Sequence, residues 1–174
     1  MSKMRRPVIG LMGAGEPTAG NLASARRLGR LVAERGWIVL TGGRPAGVMA
    51  AACAGAKEVS GSVTLGILPG VSGAGPDVDV AVFTGLGEAR NVVNVLTSDV
   101  VVACGVEGPG TASEVALGLK AEKPVILLGA AAAARVFFQE LGGKRRLLQA
   151  DTPEEVVRLI EMELAIAPWS WASH

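Results

Sequence analysis

The sequence predicts a three-layer α/β fold in which helices cover both faces of one parallel sheet of about six or seven strands. Three observations carry that expectation. Short apolar runs alternate with helical patterns along the 174-residue chain, the order of successive βα units. The runs are aliphatic throughout, as strands buried on both faces are. The glycines, 24 in all, concentrate just after these runs, where a parallel sheet turns into its next helix. A chain of this length buries roughly two-thirds of its unfolded surface. One domain over residues 1–174 is therefore expected, with its core over about 8–164 and 165–174 as a C-terminal tail.

The elements follow in order. Val8 to Met12 reads as the first strand, and Asn21 to Arg35 as an amphipathic helix with Leu22, Ala25, Leu28 and Val32 inward. Its outer face carries Arg26, Arg27, Arg30 and Glu34. Further strands are expected at Trp37 to Thr41, Val63 to Leu68 and Val78 to Phe83. A helix after Gly85 would turn Ala89, Val92, Val93 and Leu96 inward and set Arg90, Asn91 and Asn94 on a polar face. Val100 to Ala103 is the next strand. The helix beginning at Thr111 carries Val115, Ala116 and Leu117 in sequence, which suggests burial from both sides and a subunit contact. Val125 to Leu128 follows as a strand, then a helix from Ala130 to near Leu141. The last helix is marked by Thr152-Pro153-Glu154-Glu155: an N-cap hydroxyl, Pro at the first helical position and Glu three residues after the cap. Its core face is Val156, Val157, Ile160 and Leu164. Trp169 and Trp171 lie in the tail, either frayed or docked on this fold or on a partner subunit.

Composition removes several functions. Lys and Arg number 17 against 16 Asp and Glu, a net charge of +1, and no long basic block points to nucleic acid. The apolar stretch after the basic start is broken by Gly13, Gly15 and Pro17, which predicts a cytoplasmic protein without signal peptide or membrane partner. The one histidine is His174, the last residue, so nucleophile–histidine pairs and H-E-x-x-H zinc chemistry have no imidazole in the interior. Cys53 and Cys104 stand apart in Ala/Val-rich runs and read as small buried hydrophobes. No structural metal and no PLP are expected.

The glycines point to a ligand. Gly13-Ala14-Gly15, Thr41-Gly42-Gly43, Leu68-Pro69-Gly70 and Gly105 to Thr111 all follow strands, along the sheet edge where open α/β folds bind ligands. Each is also a plausible tight turn, but their convergence favours a phosphate-bearing small molecule held by backbone amides and helix N-termini. The first loop lacks the third glycine of G-x-G-x-x-G, and the second strand runs into Thr41-Gly42-Gly43 without an acidic residue. NAD is therefore not expected, and neither is P-loop nucleotide hydrolysis. Thr111 and Glu114, three apart, could form a capping box; alternatively the Glu114 carboxylate could face the pocket, bind ligand hydroxyls or act as a general base. Arg90 and Arg44 are candidates to grip a phosphate, and Asn91 and Asn94 to read a ring edge, if their faces are not simply solvated.

Taken in order, Thr41-Gly42-Gly43, Gly47-Val48-Met49, Gly55-Ala56, Gly66-Ile67-Leu68-Pro69-Gly70, Arg90-Asn91 and Gly108-x-Gly110-Thr111-x-x-Glu114 resemble the LOG-like (SLOG) superfamily, long labelled lysine decarboxylase-like. The resemblance spans about Val8 to Gly129. Thr84 to Arg90 and Gly108 to Leu117 look closest to the molybdenum cofactor carrier proteins within it. That resemblance implies a Rossmann-like fold, a homo-oligomer (dimer or tetramer), and binding of molybdenum cofactor (molybdopterin), with molybdenum enzymes as possible partners. It also implies a second activity: LOG enzymes cleave the N-glycosidic bond of nucleoside 5'-monophosphates through an Arg and a Glu, matched here by Arg90 and Glu114. Two positions depart from the LOG signature. Asn91 stands where the enzymes have Lys, and Gly105-Val106-Glu107-Gly108-Pro109-Gly110 replaces P-G-G-x-G, with Pro109 removing one amide donor. The expected cofactor-binding set is Gly13, Gly15, Gly42, Gly43, Arg44, Arg90, Asn91, Gly108, Gly110, Thr111 and Glu114. A carrier, a nucleotide phosphoribohydrolase and a nucleotide-sensing domain without turnover are the three readings these residues allow.

Overall fold

The computed structural model describes residues 5–142 and 147–166. Seven parallel strands form one sheet: β1 (Val8–Met12), β2 (Ile38–Thr41), β3 (Val63–Leu68), β4 (Val80–Phe83), β5 (Val100–Cys104), β6 (Val125–Leu128) and β7 (Leu147–Ala150). Their order is β4-β3-β2-β1-β5-β6-β7. The six helices are α1 (Ala19–Glu34), α2 (Gly47–Lys57), α3 (Arg90–Thr97), α4 (Pro109–Lys120), α5 (Ala132–Gly142) and α6 (Pro153–Ile166). The three-layer fold expected from the sequence is thus the fold observed. Strand order reverses between β1 and β5, and the crevice beyond their carboxyl ends is the switch point at which such sheets bind ligands.

Alternation along the strands builds two cores. Ile9, Leu11, Val100, Val102 and Ile126 pack with α1, α2 and α6 on one face. Met12, Leu40, Val101, Ala103 and Leu127 pack with residues of α3, α4 and α5 on the other, because successive side chains of a strand point to opposite faces. Both cysteines are buried, and burial pushes the Cys104 thiol up to about 12.

Several expectations need correction. In α1, Leu22 is 42% exposed although Ala25, Leu28 and Val32 are buried; the helix starts at Ala19, capped by Thr18, so Leu22 lies in a first turn that overhangs the sheet. β4 begins at Val80, two residues later than read, and is not a doubly buried strand: it forms an open edge, and Phe83 is 48% exposed. β7 was not anticipated. On α3 the face is largely inverted. Arg90, Asn91, Asn94 and Val95 are buried and Val93 packs against the second core as read, whereas Val92 and Leu96 are exposed, because much of the inner side of this helix meets polar groups of α4 and the pocket. The capping box of α6 forms as read: Glu155 N donates to Thr152 Oγ1 and Thr152 N to Glu155 Oε2, both at 3.2 Å. Trp169, Trp171 and His174 lie outside the described residues.

Candidate functional site

A pocket of about 280 Å³ opens at the switch point. The loop after β1 supplies Gly13, Ala14 and Gly15, and Met12 contributes from the end of the strand. Gly42 and Arg44 come from the loop after β2, Met49 from α2, Glu88 from the 3-10 turn Gly87–Ala89, and Arg90 and Asn91 from the start of α3. Gly108, Gly110, Thr111 and Glu114 line it from the entry and first turns of α4. Ten of the eleven residues expected from the sequence therefore meet in one cavity. Gly43 stands behind it: its φ is +73°, and a Cβ there would lie 2.9 Å from Leu68 Cδ1. The loop Leu68-Pro69-Gly70 leads to β4 rather than to a helix, and it braces the approach to Arg90 by accepting hydrogen bonds at Leu68 O from Thr84 and at Pro69 O from Gly87 N. Met12, Ala14, Met49 and Glu88 were not foreseen. The two methionines gave no polar signal, and Glu88 could have been found beside Arg90.

The helix starts are used unequally. At α1, the Glu107 carboxylate accepts from Thr18 N at 3.3 Å and from Asn21 Nδ2 at 2.9 Å, so the protein supplies its own anion there. At α2, Val48 N donates to Ala14 O at 3.0 Å. The start of α4 instead leads into the pocket, uncapped by any side chain. Its unpaired amides and dipole favour an anion. Pro109 occupies the first helical position, where its fixed φ suits the helix and no intrahelical bond is lost; the donor it lacks leaves Gly110 and Thr111 as the first amides of the cradle. Because α4 begins at Pro109, Thr111 and Glu114 both lie inside the helix, and no Thr–Glu capping box forms.

Glu114 is tied elsewhere. Its Oε1 accepts from Asn94 Nδ2 at 2.7 Å. Burial pushes its carboxyl above the usual range, opposed by the Asn94 hydrogen bond and the Arg90 charge. Arg90 is buried, donates from Nη1 to Ile67 O at 3.0 Å, and has its basicity lowered chiefly by that burial, with Glu114 acting against. Its guanidinium packs on Gly42: a Cβ there would overlap Nη1 and stand 2.8 Å from Nη2 and from Met49 Sδ. Arg90 Nε and Asn94 Oδ1 are buried with no protein partner. Asn91 Nδ2 donates to Ser113 Oγ at 2.9 Å, which fastens α3 to α4 at the pocket. Two arginines, two carboxylates, an amide and an open helix start around two thioethers make a site for a small anion carrying a polar ring with donor groups.

The chain belongs to the SLOG cluster4 family, whose model matches residues 6–157; the resemblance read from the motifs is thereby shown. Within that class it is similar to the molybdenum cofactor binding protein of the phototrophic bacterium Rippkaea orientalis, with 47% identity over 93% of this chain and 99% of that one and a TM-score of 0.89. It is also similar to the Moco carrier protein of Chlamydomonas reinhardtii, with 45% identity over 94% of this chain and all of that one (100%) and a TM-score of 0.87. A protein of Archaeoglobus fulgidus is 40% identical over 126 residues, covering 72% of this chain and 82% of its own.

Proposed function

We propose that this protein binds the molybdenum cofactor, a phosphate-bearing pterin, and carries it in protected form. The observation that carries this reading is likeness along the whole chain: 47% and 45% identity with the two proteins named for binding or carrying that cofactor. The pocket chemistry supports it. Arg90, Arg44 and the first amides of α4 at Gly110 and Thr111 take the phosphate. Gly13, Gly15, Gly42 and Gly108 let the ligand approach the backbone, with Gly43 holding the loop behind them. Asn91 and Glu114 meet the ring. In this reading the protein works in the cytoplasm as a homo-oligomer, a dimer or tetramer, and passes its cargo to molybdenum enzymes. Purified protein is expected to bind molybdenum cofactor saturably, and Arg90→Ala to weaken that binding by about ten- to a hundredfold, the scale of hydrogen bonds to a charged group. Absence of saturable binding by the unmodified protein would overturn the reading.

A second reading is favoured by one specific observation: Arg90 and Glu114, the two residue types of the LOG reaction, line the same pocket. As a nucleoside 5'-monophosphate phosphoribohydrolase, the protein would hold the phosphate with Arg90. Glu114 would stabilise positive charge on the ribose or activate water. Free base released from AMP, and lost in Glu114→Ala, would establish it.

A further inference from the structure

Asn94 is completely buried on α3 and is not among the residues that line the pocket. Its amide nevertheless reaches across to α4 and donates to Glu114 Oε1 at 2.7 Å. That bond leaves its own Oδ1 buried without a protein partner, a desolvation that a leucine of similar size would avoid. The amide is therefore a poor choice for packing and a good one for holding a carboxylate. An ionised carboxylate only accepts hydrogen bonds and has about four lone-pair sites, so one bond from Asn94 leaves most of its capacity free. A protonated carboxyl would instead offer a donor and present the wrong partner to a ligand N–H.

We infer that Asn94 is a positioning residue for the ligand site: it fixes Glu114 as a hydrogen-bond acceptor and aims its remaining lone pairs at N–H or O–H donors of the ligand. The inference rests on the proposed ligand pocket. The charged groups that bear on Glu114 are Arg90 on α3 and Arg44 after β2, which favour the carboxylate, and Glu88 on the 3-10 turn, which opposes it. Asn94 adds the one direct hydrogen bond among these influences, and it does so from the side away from solvent.

The test has two arms. In ligand-free protein labelled with 13C at the Glu side-chain carboxyl, Asn94→Leu is expected to move the Glu114 titration midpoint upward by about one pH unit, a tenfold change in proton affinity. In the second arm, binding of molybdenum cofactor at neutral pH weakens about tenfold in Asn94→Leu, the scale of one charge-assisted hydrogen bond. In a Glu114→Ala background, where no side-chain acceptor faces the Asn94 amide, the same change adds little, because the effect of Asn94 runs through Glu114; additive losses would mark a merely structural role and overturn the inference. Asn94→Asp keeps size and polarity should the leucine variant not fold. It places two carboxyl groups in contact, so Glu114 titrates in two steps, and a single unsplit step overturns the inference. Unmodified protein that does not bind the cofactor overturns the carrier reading; normal binding with an unmoved Glu114 titration overturns the role of Asn94 alone.

Discussion

At the level of single residues, the site is built around the absence of a side chain at Gly42. The Arg90 guanidinium lies where a Cβ on Gly42 would be, so even Gly42→Ala must push the cation out of place. Gly42 lies in the loop after β2, outside the strand itself, so the expected result is a loss of cofactor affinity of about tenfold or more, as for a misplaced charged hydrogen bond, with circular dichroism unchanged. Glu114 makes a complementary prediction about stability. Burial raises its folded pKa above the ordinary 4.5, so the folded protein holds this proton more tightly than the unfolded chain. The stability this contributes is fully present below the unfolded pKa and is lost as pH rises through the raised folded value. Glu114→Gln, which can still accept from Asn94, is therefore expected to melt higher than the unmodified protein at neutral pH. The gain is about 2–4 °C for each kcal/mol recovered in a domain of this size, and the two melting curves converge toward pH 4. Equal melting temperatures at pH 7 would count against a buried carboxylate.

At the level of elements, α1 and α2 come into backbone contact at two glycines, beside the side chains they share in the first core. A Cβ at Gly29 would overlap Ala52 O, and one at Gly55 would overlap Arg26 O, both backbone atoms that cannot turn aside. Gly29→Ala and Gly55→Ala are each expected to destabilise the fold by about 1–3 kcal/mol, the cost of overpacking, in urea unfolding at constant m-value. A cost below 0.5 kcal/mol would mean that the helices part easily. These contacts were not legible in the sequence, where no local signal marks Gly29 and Gly55 stands only within the Gly55-Ala56 motif. What was legible is what period and turn chemistry encode. Six aliphatic runs, the Thr152–Glu155 box and the glycine loops each carry a local signal, and the loops brought ten site residues to one pocket. β7 was not, because Leu147-Leu148-Gln149-Ala150 is a four-residue edge strand whose composition suits a helix equally well. The face of α3 was read largely backwards for a physical reason. Apolar periodicity assumes an apolar neighbour along the whole inner face, and on α3 Val93 and Val95 have one while Arg90, Asn91 and Asn94 turn toward Glu114, Ser113 and the ligand pocket.

For the whole molecule, the inversion of α3 has a consequence for assembly. Turning Arg90, Asn91 and Asn94 inward leaves Val92 and Leu96 outside, 41% and 58% exposed. With Val95 of the same helix, Leu117 and Lys120 of α4 and Ala121 just after it, they line a largely apolar groove of about 350 Å³. The open edge at β4 adds a second apolar surface, where Val80, Val82 and Phe83 are exposed. A two-fold contact buries the same patch on both copies; one such patch closes a dimer, and two independent patches close a dimer of dimers. The proposed homo-oligomer thus has two places to form. Leu96→Glu puts a charge into the α3–α4 groove, and Phe83→Glu puts one beside the β4 edge. Both positions are about half exposed in the single chain, so neither change should unfold it. If both surfaces are used, sedimentation should give a tetramer for the unmodified protein, a dimer for each single variant and a monomer for the pair. If only the α3–α4 groove is used, Leu96→Glu alone converts a dimer to monomer and Phe83→Glu leaves it intact. An unmodified protein that sediments as a monomer would remove the oligomer from the proposal. Because Arg90 and Asn91 share α3 with Leu96, cofactor affinity measured on the Leu96→Glu monomer also tells whether the site is complete in one chain: unchanged affinity means it is, and a loss means that assembly holds α3 in place.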